Sequence, residues 1–261
     1  MNLREHFKQL PQQEQQKLTK EEKIEINNKD LVVKHNALIN ATNNYKYETN
    51  ELKLISFLIS SINNTYDKEF KKYEDQYFDL KELNFSDEDI TNKLYIKQLC
   101  ISIMSKPFVI DKCVYNWFTK LTYEDGIIRY EFHNDLKPFL LDLKSQFTKY
   151  HLTNILKLRS SYSIQIFELL YQYKTIKQRK MTFEELRKIL NIPDSYRNVD
   201  IRKILDNVQK DLEKNTSIQF DFTIEKIGRS FNSIIFNISK NTNNTNIEDI
   251  NEDSTIKTKK S

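Results

Sequence analysis

Glycine is almost missing from this chain. Only Gly126 and Gly228 occur in 261 residues. Neither a G-x-x-x-x-G-K-[ST] phosphate loop nor a G-x-G-x-x-G turn can be assembled from them, which excludes ATP or dinucleotide binding by those means. Proline is also scarce, with four residues, and the two shortages together favour helices with few elaborate loops. The four histidines, His6, His35, His133 and His151, form no i, i+4 pair and have no cysteine at ligand spacing. No zinc site and no cofactor are therefore expected. The acidic clusters Asp87-Glu88-Asp89 and Glu124-Asp125 read as caps of turns and helix starts. No apolar run approaches the ~18 residues that cross a bilayer, and Met1 to Ile26 is polar and charged, unlike a secretory signal. The two cysteines, Cys100 and Cys113, stand in largely apolar contexts. They are expected as two reduced, buried thiols of a cytoplasmic protein.

Charge is plentiful, at 30% of residues beside 38% hydrophobic ones, and it is unevenly placed. Residues 149–240 hold 17 Lys+Arg against 10 Asp+Glu, whereas residues 1–148 hold 21 against 23 and the tail holds 3 against 4. A positive excess confined to one module is the electrostatic footprint of a half that faces nucleic acid. The length suits two modest domains, each able to bury a core. The expected divisions are a flexible arm over 1–27, a first domain over 28–148, a second over 149–240 and a disordered tail over 241–261. The tail opens on Asn241-Thr-Asn-Asn-Thr-Asn246 and turns to mixed charge, a composition that cannot bury a core.

The second domain is the more legible. Tyr162, Ile166, Leu169, Leu170 and Tyr173 recur at helical period and predict an amphipathic helix. Thr182 followed by Glu185 is a capping box, and it opens a second helix that points Phe183, Leu186, Ile189 and Leu190 inward. Asn191-Ile192-Pro193 ends it, because proline offers no amide. A third helix buries Ile201, Ile204, Leu205, Val208 and Leu212 and turns Lys203, Asp206, Asn207, Lys210 and Lys214 outward, with Arg202 on the flank. Basic and amide side chains on one helix face suit the major groove, where Arg or Lys donates to guanine and Asn pairs with adenine. Strict alternation then puts Ile218, Phe220, Phe222 and Ile224 on one strand face, and Ile234, Phe236 and Ile238 on one face of the return strand. Lys226 and Arg229 mark a basic tip between the strands.

The first half repeats this plan more weakly. Leu52, Ile55, Ile59 and Ile62 predict a helix after Thr49, and Ile96, Leu99, Cys100 and Ile103 another. Phe78 to Leu83 parallels Phe183 to Leu186. Phe108 to Leu121 and Gly126 to Phe132 are expected to form a hairpin turning at Tyr123–Gly126, with Asp135 to Phe147 as an amphipathic bridge between the halves. The expected class is α+β, mainly helical: two winged helix-turn-helix domains in tandem with small antiparallel hairpins.

The run Leu158-Arg-Ser-Ser-Tyr-Ser163, continued by Phe167-Glu-Leu-Leu-Tyr-Gln-Tyr-Lys174, resembles the initiator replication proteins of iteron plasmids, the Rep_3 family. Phe183-Glu-Glu-Leu-Arg187, residues 199–216 and Lys226-Ile-Gly-Arg229 with Ile234-Ile-Phe-Asn-Ile238 are similar to that family in order and spacing. So are Leu31 to Ile39 and Glu51 to Ile55 upstream, and the likeness covers roughly residues 28 to 240. Ser163 and Gln165 depart from the alanine and arginine common in the family. The resemblance implies monomers binding directly repeated double-stranded DNA sites in a plasmid origin. It also implies dimers that repress the protein's own promoter, and partnership with the host chromosomal initiator ATPase and the replicative helicase. No enzymatic activity and no membrane partner are expected.

Arg202, Lys203, Asn207 and Lys210 are the expected groove-facing set, with Arg197, Lys226 and Arg229 on phosphates. Arg159 and Ser160 are expected near the DNA backbone, unless Arg159 is held in a buried ion pair with Glu168 or Glu185. Two alternatives stay open: a winged-helix transcriptional repressor without a replication role, and a metal-dependent nickase. Against the nickase stands the absence of paired histidines beside a tyrosine.

Overall fold

The computed structural model describes residues 31–43, 45–62, 68–72, 77–79, 92–124, 127–228 and 230–242. The N-terminal arm, most of the Phe78 to Leu83 stretch and nearly all of the tail lie outside these residues.

The chain enters on β1 (Leu31–His35) and makes one turn of helix, α1 (Asn36–Ile39), then a short strand, β2 (Thr42–Asn43). The first long helix, α2 (Thr49–Ser60), starts where the Glu51 carboxylate accepts the Glu48 amide at 2.6 Å. After β3 (Tyr77–Asp79) comes α3 (Lys93–Met104), capped by Asn92 and burying Ile96, Leu99, Cys100 and Ile103, the four residues whose spacing predicted it. Four strands follow: β4 (Phe108–Ile110), β5 (Cys113–Tyr115), β6 (Phe118–Glu124) and β7 (Ile127–Phe132). Next are the short α4 (Lys137–Leu140), β8 (Phe147–His151) and α5 (Thr153–Leu156). The second half runs α6 (Ser161–Tyr171), β9 (Gln178–Thr182), α7 (Phe183–Leu190), α8 (Asn198–Asn215), β10 (Ile218–Ile227) and β11 (Ser230–Lys240).

All strand pairs are antiparallel. Among the described residues the sheets are β1-β8, β2-β4-β5, β3-β7-β6 and β10-β11-β9. In the last of these, Ile218, Phe220, Ile234, Phe236 and Ile238 are buried beneath the helices, as the alternation predicted. The strand β9 was not foreseen. It buries Arg179 and Met181 and exposes its other residues, and a charged residue on the inner face hides the apolar alternation.

The apolar residues of both halves join into one continuous core, and α6 lies where the halves meet. Its apolar stripe is real, but the helix is buried on almost every side, including Ser161, Ser163, Phe167 and Glu168. The polar face packs against the first half and carries an ion pair. Lys34 Nζ on β1 donates to Glu168 Oε1 at 2.6 Å and to Ser56 Oγ at 3.3 Å, and the Tyr150 hydroxyl also donates to Glu168. Buried charges persist when paired and hydrogen-bonded in this way. Arg179 adds a second link, donating to the Leu169 carbonyl at 2.7 Å and to Asn40 Oδ1 at 2.8 Å. Burial lowers the pKa of Arg179, with the nearby Tyr173 and Glu185 acting against it.

Four expectations are corrected. Phe108 to Leu121 is not one strand, because Asp111 adopts φ 54° and reverses the chain between Ile110 and Cys113. The hairpin proper is β6-β7. Asp135 to Phe147 is not one amphipathic segment bridging the halves. Helix stops at Leu140, Asp142 and Gln146 take positive φ, and α4 packs on β1 within the first half. Tyr173 lies past the end of α6 and packs its ring 4.7 Å from the Arg179 guanidinium. Finally, only Cys100 is buried, its thiol pushed up to about 12 by desolvation, whereas Cys113 on the edge strand β5 is exposed.

Candidate nucleic-acid interface

The elements α6, β9, α7, α8, β10 and β11 follow one another as helix, strand, helix, helix and hairpin. That is the order in which a winged helix presents its third helix and its wing. The local chemistry explains how α8 is aimed. Thr182 Oγ1 accepts the Glu185 amide at 3.1 Å, and Glu185 Oε2 accepts the Thr182 amide at 2.8 Å, so the predicted capping box fixes the start of α7. Asn191 ends that helix at φ 47°, a left-handed cap that asparagine tolerates. Arg187 then braces the turn into α8, donating to the carbonyl of Pro193 at 3.3 Å and to that of Tyr196 at 2.5 Å.

The first turn of α8 is held by Asp200, whose carboxylate accepts the Arg197 amide at 2.9 Å and faces the Arg197 guanidinium at 3.5 Å. The amide hydrogen bond, with the guanidinium beside it, keeps the Asp200 carboxyl below its usual range. Farther along, Gln209 Nε2 donates to the Phe220 carbonyl at 2.9 Å and to Asp221 at 2.8 Å, which ties α8 to β10. The inner face of α8 buries Ile201, Leu205, Val208 and Leu212, and Ile204 is half-buried.

Arg202, Lys203, Asn207 and Lys210 are exposed on the opposite side. Among the described residues no hydrogen bond or ion pair engages the side chains of Arg202, Asn207 or Lys210, so their donors are unspent. Lys203, Asn207 and Lys210 recur at i, i+4 and i+7 and share one face. Arg159 is exposed, and neither carboxylate considered for it is its partner: Glu168 pairs with Lys34, and Glu185 caps Thr182. Its amide donates to Asp211 Oδ2 on α8 at 3.0 Å, which sets Arg159 beside that helix. Ser160 caps α6 by accepting the Ser163 amide at 3.0 Å and bonds the Ser163 hydroxyl. Arg197 is largely exposed at the N-cap of α8.

In the wing, β10 and β11 turn through Gly228, at φ 59°. Lys226 lies just before that turn with its ammonium 5.3 Å from the Phe231 ring centre. Arg229 lies outside the described residues. At the wing's root, Glu225 is occupied by Lys180 at 2.7 Å and by the Ser233 hydroxyl. The hydrogen bond from Lys180 is the main cause holding its carboxyl below the usual range.

Two features of the site escaped the sequence reading. The Arg187 brace has no sequence signature beyond a basic residue in the last turn of a helix. Val199, in the first turn of α8, is 58% exposed. Its position one turn ahead of Arg202 and Lys203 could have marked it.

Among the described residues no three His, Cys, Asp or Glu side chains converge as a metal site would need. Nor is any described helix long and apolar enough to cross a membrane. Two family models match the chain: Initiator Replication protein, WH1, over residues 31–171, and Initiator Rep protein, WH2, over residues 182–238. Two winged helices therefore stand in tandem, as expected. No curated protein matches.

Proposed function

This chain belongs to the family of initiator replication proteins, and from that premise we propose that it binds directly repeated duplex sites, iterons, in a plasmid origin. Its class is that of a DNA-binding initiator of plasmid replication. The observation that carries the finer reading is the row of unengaged donors on α8, with Arg159 set beside that helix by its amide bond to Asp211. Arg202, Lys203, Asn207 and Lys210 would meet base edges in the major groove. Arg159, Ser160, Arg197, Lys226 and Arg229 would meet phosphates or lie along the backbone, supplying affinity and register.

The two modules, residues 28–148 and 149–240 in this reading, would grip successive grooves. Free energy released by phosphate and base contacts then offsets bending of the duplex, and the crowded array favours melting of AT-rich DNA alongside. No hydrolysis by the chain itself enters this mechanism. Helicase loading falls to the host initiator ATPase and replicative helicase. A homodimer, in equilibrium with the monomer, would bind an inverted repeat at the protein's own promoter and repress it. All of this takes place in the cytoplasm.

Footprinting of the full chain on DNA flanking its gene tests the reading. Protected blocks repeating at regular spacing over direct repeats are the expected result. Protection of a single inverted repeat and nothing else would favour a transcriptional repressor without a replication role.

A further inference from the structure

Val199 is the one apolar residue of α8 that the fold does not use. Ile201, Leu205, Val208 and Leu212 are buried against the domain and Ile204 is half-buried, whereas Val199 is 58% exposed. Folding gives no reason to place valine there. A β-branched side chain loses rotamer freedom in a helix, and the first turn of a helix favours an acidic residue beside its positive dipole end. Solubility gives no reason either. The position is nonetheless well defined. Asp200 fixes the first turn through Arg197, and Arg187 fixes the chain just ahead through the carbonyls of Pro193 and Tyr196. Val199 stands at i relative to Arg202 at i+3 and Lys203 at i+4, so it shares their exposed face.

We propose that Val199 is a base-reading residue whose methyl groups pack against the C5-methyl of a thymine in the major groove. Thymine alone presents an apolar group on that edge, and a small apolar side chain is its complement. The N-terminal turn of a recognition helix is also the part that reaches base edges. The contact would add preference for one A·T pair next to the bases read by Arg202 and Lys203. This inference rests on the reading of α8 as the groove-facing helix.

The test uses the full chain and a duplex carrying one of the blocks that footprinting shows to be protected. Each thymine is replaced in turn by uracil, which removes only the methyl group. Wild-type protein should bind about fourfold more weakly at one position, the effect of losing one buried methyl-sized group. Val199→Ala should bind the unmodified duplex more weakly by a similar factor and be indifferent to uracil at that position, with an unchanged melting temperature. Two results overturn the proposal: a wild type indifferent to every uracil, or a Val199→Ala protein as sensitive as wild type at the same thymine. Failure of wild type to bind any repeat would instead overturn the iteron reading, and the thymine contact with it.

Discussion

The ammonium of Lys34 on β1 and the carboxylate of Glu168 on α6 lie 2.6 Å apart, although 134 residues separate them in the chain. Both are buried, and Glu168 also accepts from the Tyr150 hydroxyl. Replacing one partner strands the other charge without water. Lys34→Met or Glu168→Leu alone should therefore destabilise the protein by about 3–5 kcal/mol, as broken buried pairs do. The double variant should be far more stable than the sum of the two losses implies. Urea denaturation of the four proteins measures this, and strictly additive losses would show that the pair is not coupled.

Arg202→Ala and Lys226→Ala should fail in different ways. Loss of a base contact at Arg202 should cost about 1–3 kcal/mol on the specific site and relax preference at one position. Lys226→Ala should weaken binding to all sequences alike and lower the slope of log affinity against log salt by about one unit. Titrations at several salt concentrations on specific and scrambled duplexes separate the two. Wild-type behaviour in both variants would mean that the DNA lies on another face.

Asp200 should make the first turn of α8 sensitive to acid. Its folded carboxyl lies below the ordinary value of 3.8 because it accepts the Arg197 amide and faces the Arg197 guanidinium. The ionised form is thus favoured by folding. Its contribution is full above pH 3.8 and disappears as pH falls through the lower folded value. Asp200→Asn should melt below wild type at neutral pH, and the gap should close in acid. A gap that stays constant down to acid pH would rule out the cap as its source.

At the wing tip, Gly228 holds φ 59°, and a Cβ there would meet nothing within 4 Å. The cost of Gly228→Ala is therefore one of backbone alone, about 1 kcal/mol. Gly228→Asn should cost less, since asparagine enters the left-handed region more readily. Thermal melts of the two variants give the ranking, and equal losses would contradict it.

Legibility followed the range of the interactions. The α7 start was readable because Thr182 and Glu185 are three residues apart, and the inward face of α8 because its period is local. The hairpin was readable from strict alternation. The all-round burial of α6 was not. Its polar residues, Ser161, Ser163 and Glu168, interrupt the apolar pattern, and the true partner of Glu168 is Lys34 on the first strand, beyond the reach of local spacing. The strand β9 was hidden because its inward residue is an arginine satisfied by Leu169 and Asn40. Cys113 was misplaced because the three residues of β5 are too short a run to show which side faces inward.

The pairing of β1 with β8 runs in continuous register from Leu31 opposite His151 to His35 opposite Phe147. During synthesis, β1 therefore leaves the ribosome long before the strand that completes it. Until Phe147–His151 emerges, the row of backbone donors and acceptors along Leu31–His35 has no native mate, and Lys34 waits longer still for its counter-ion, Glu168. Such late closure over a long intervening chain slows folding and lengthens the interval in which a lone strand can pair with a neighbouring nascent chain.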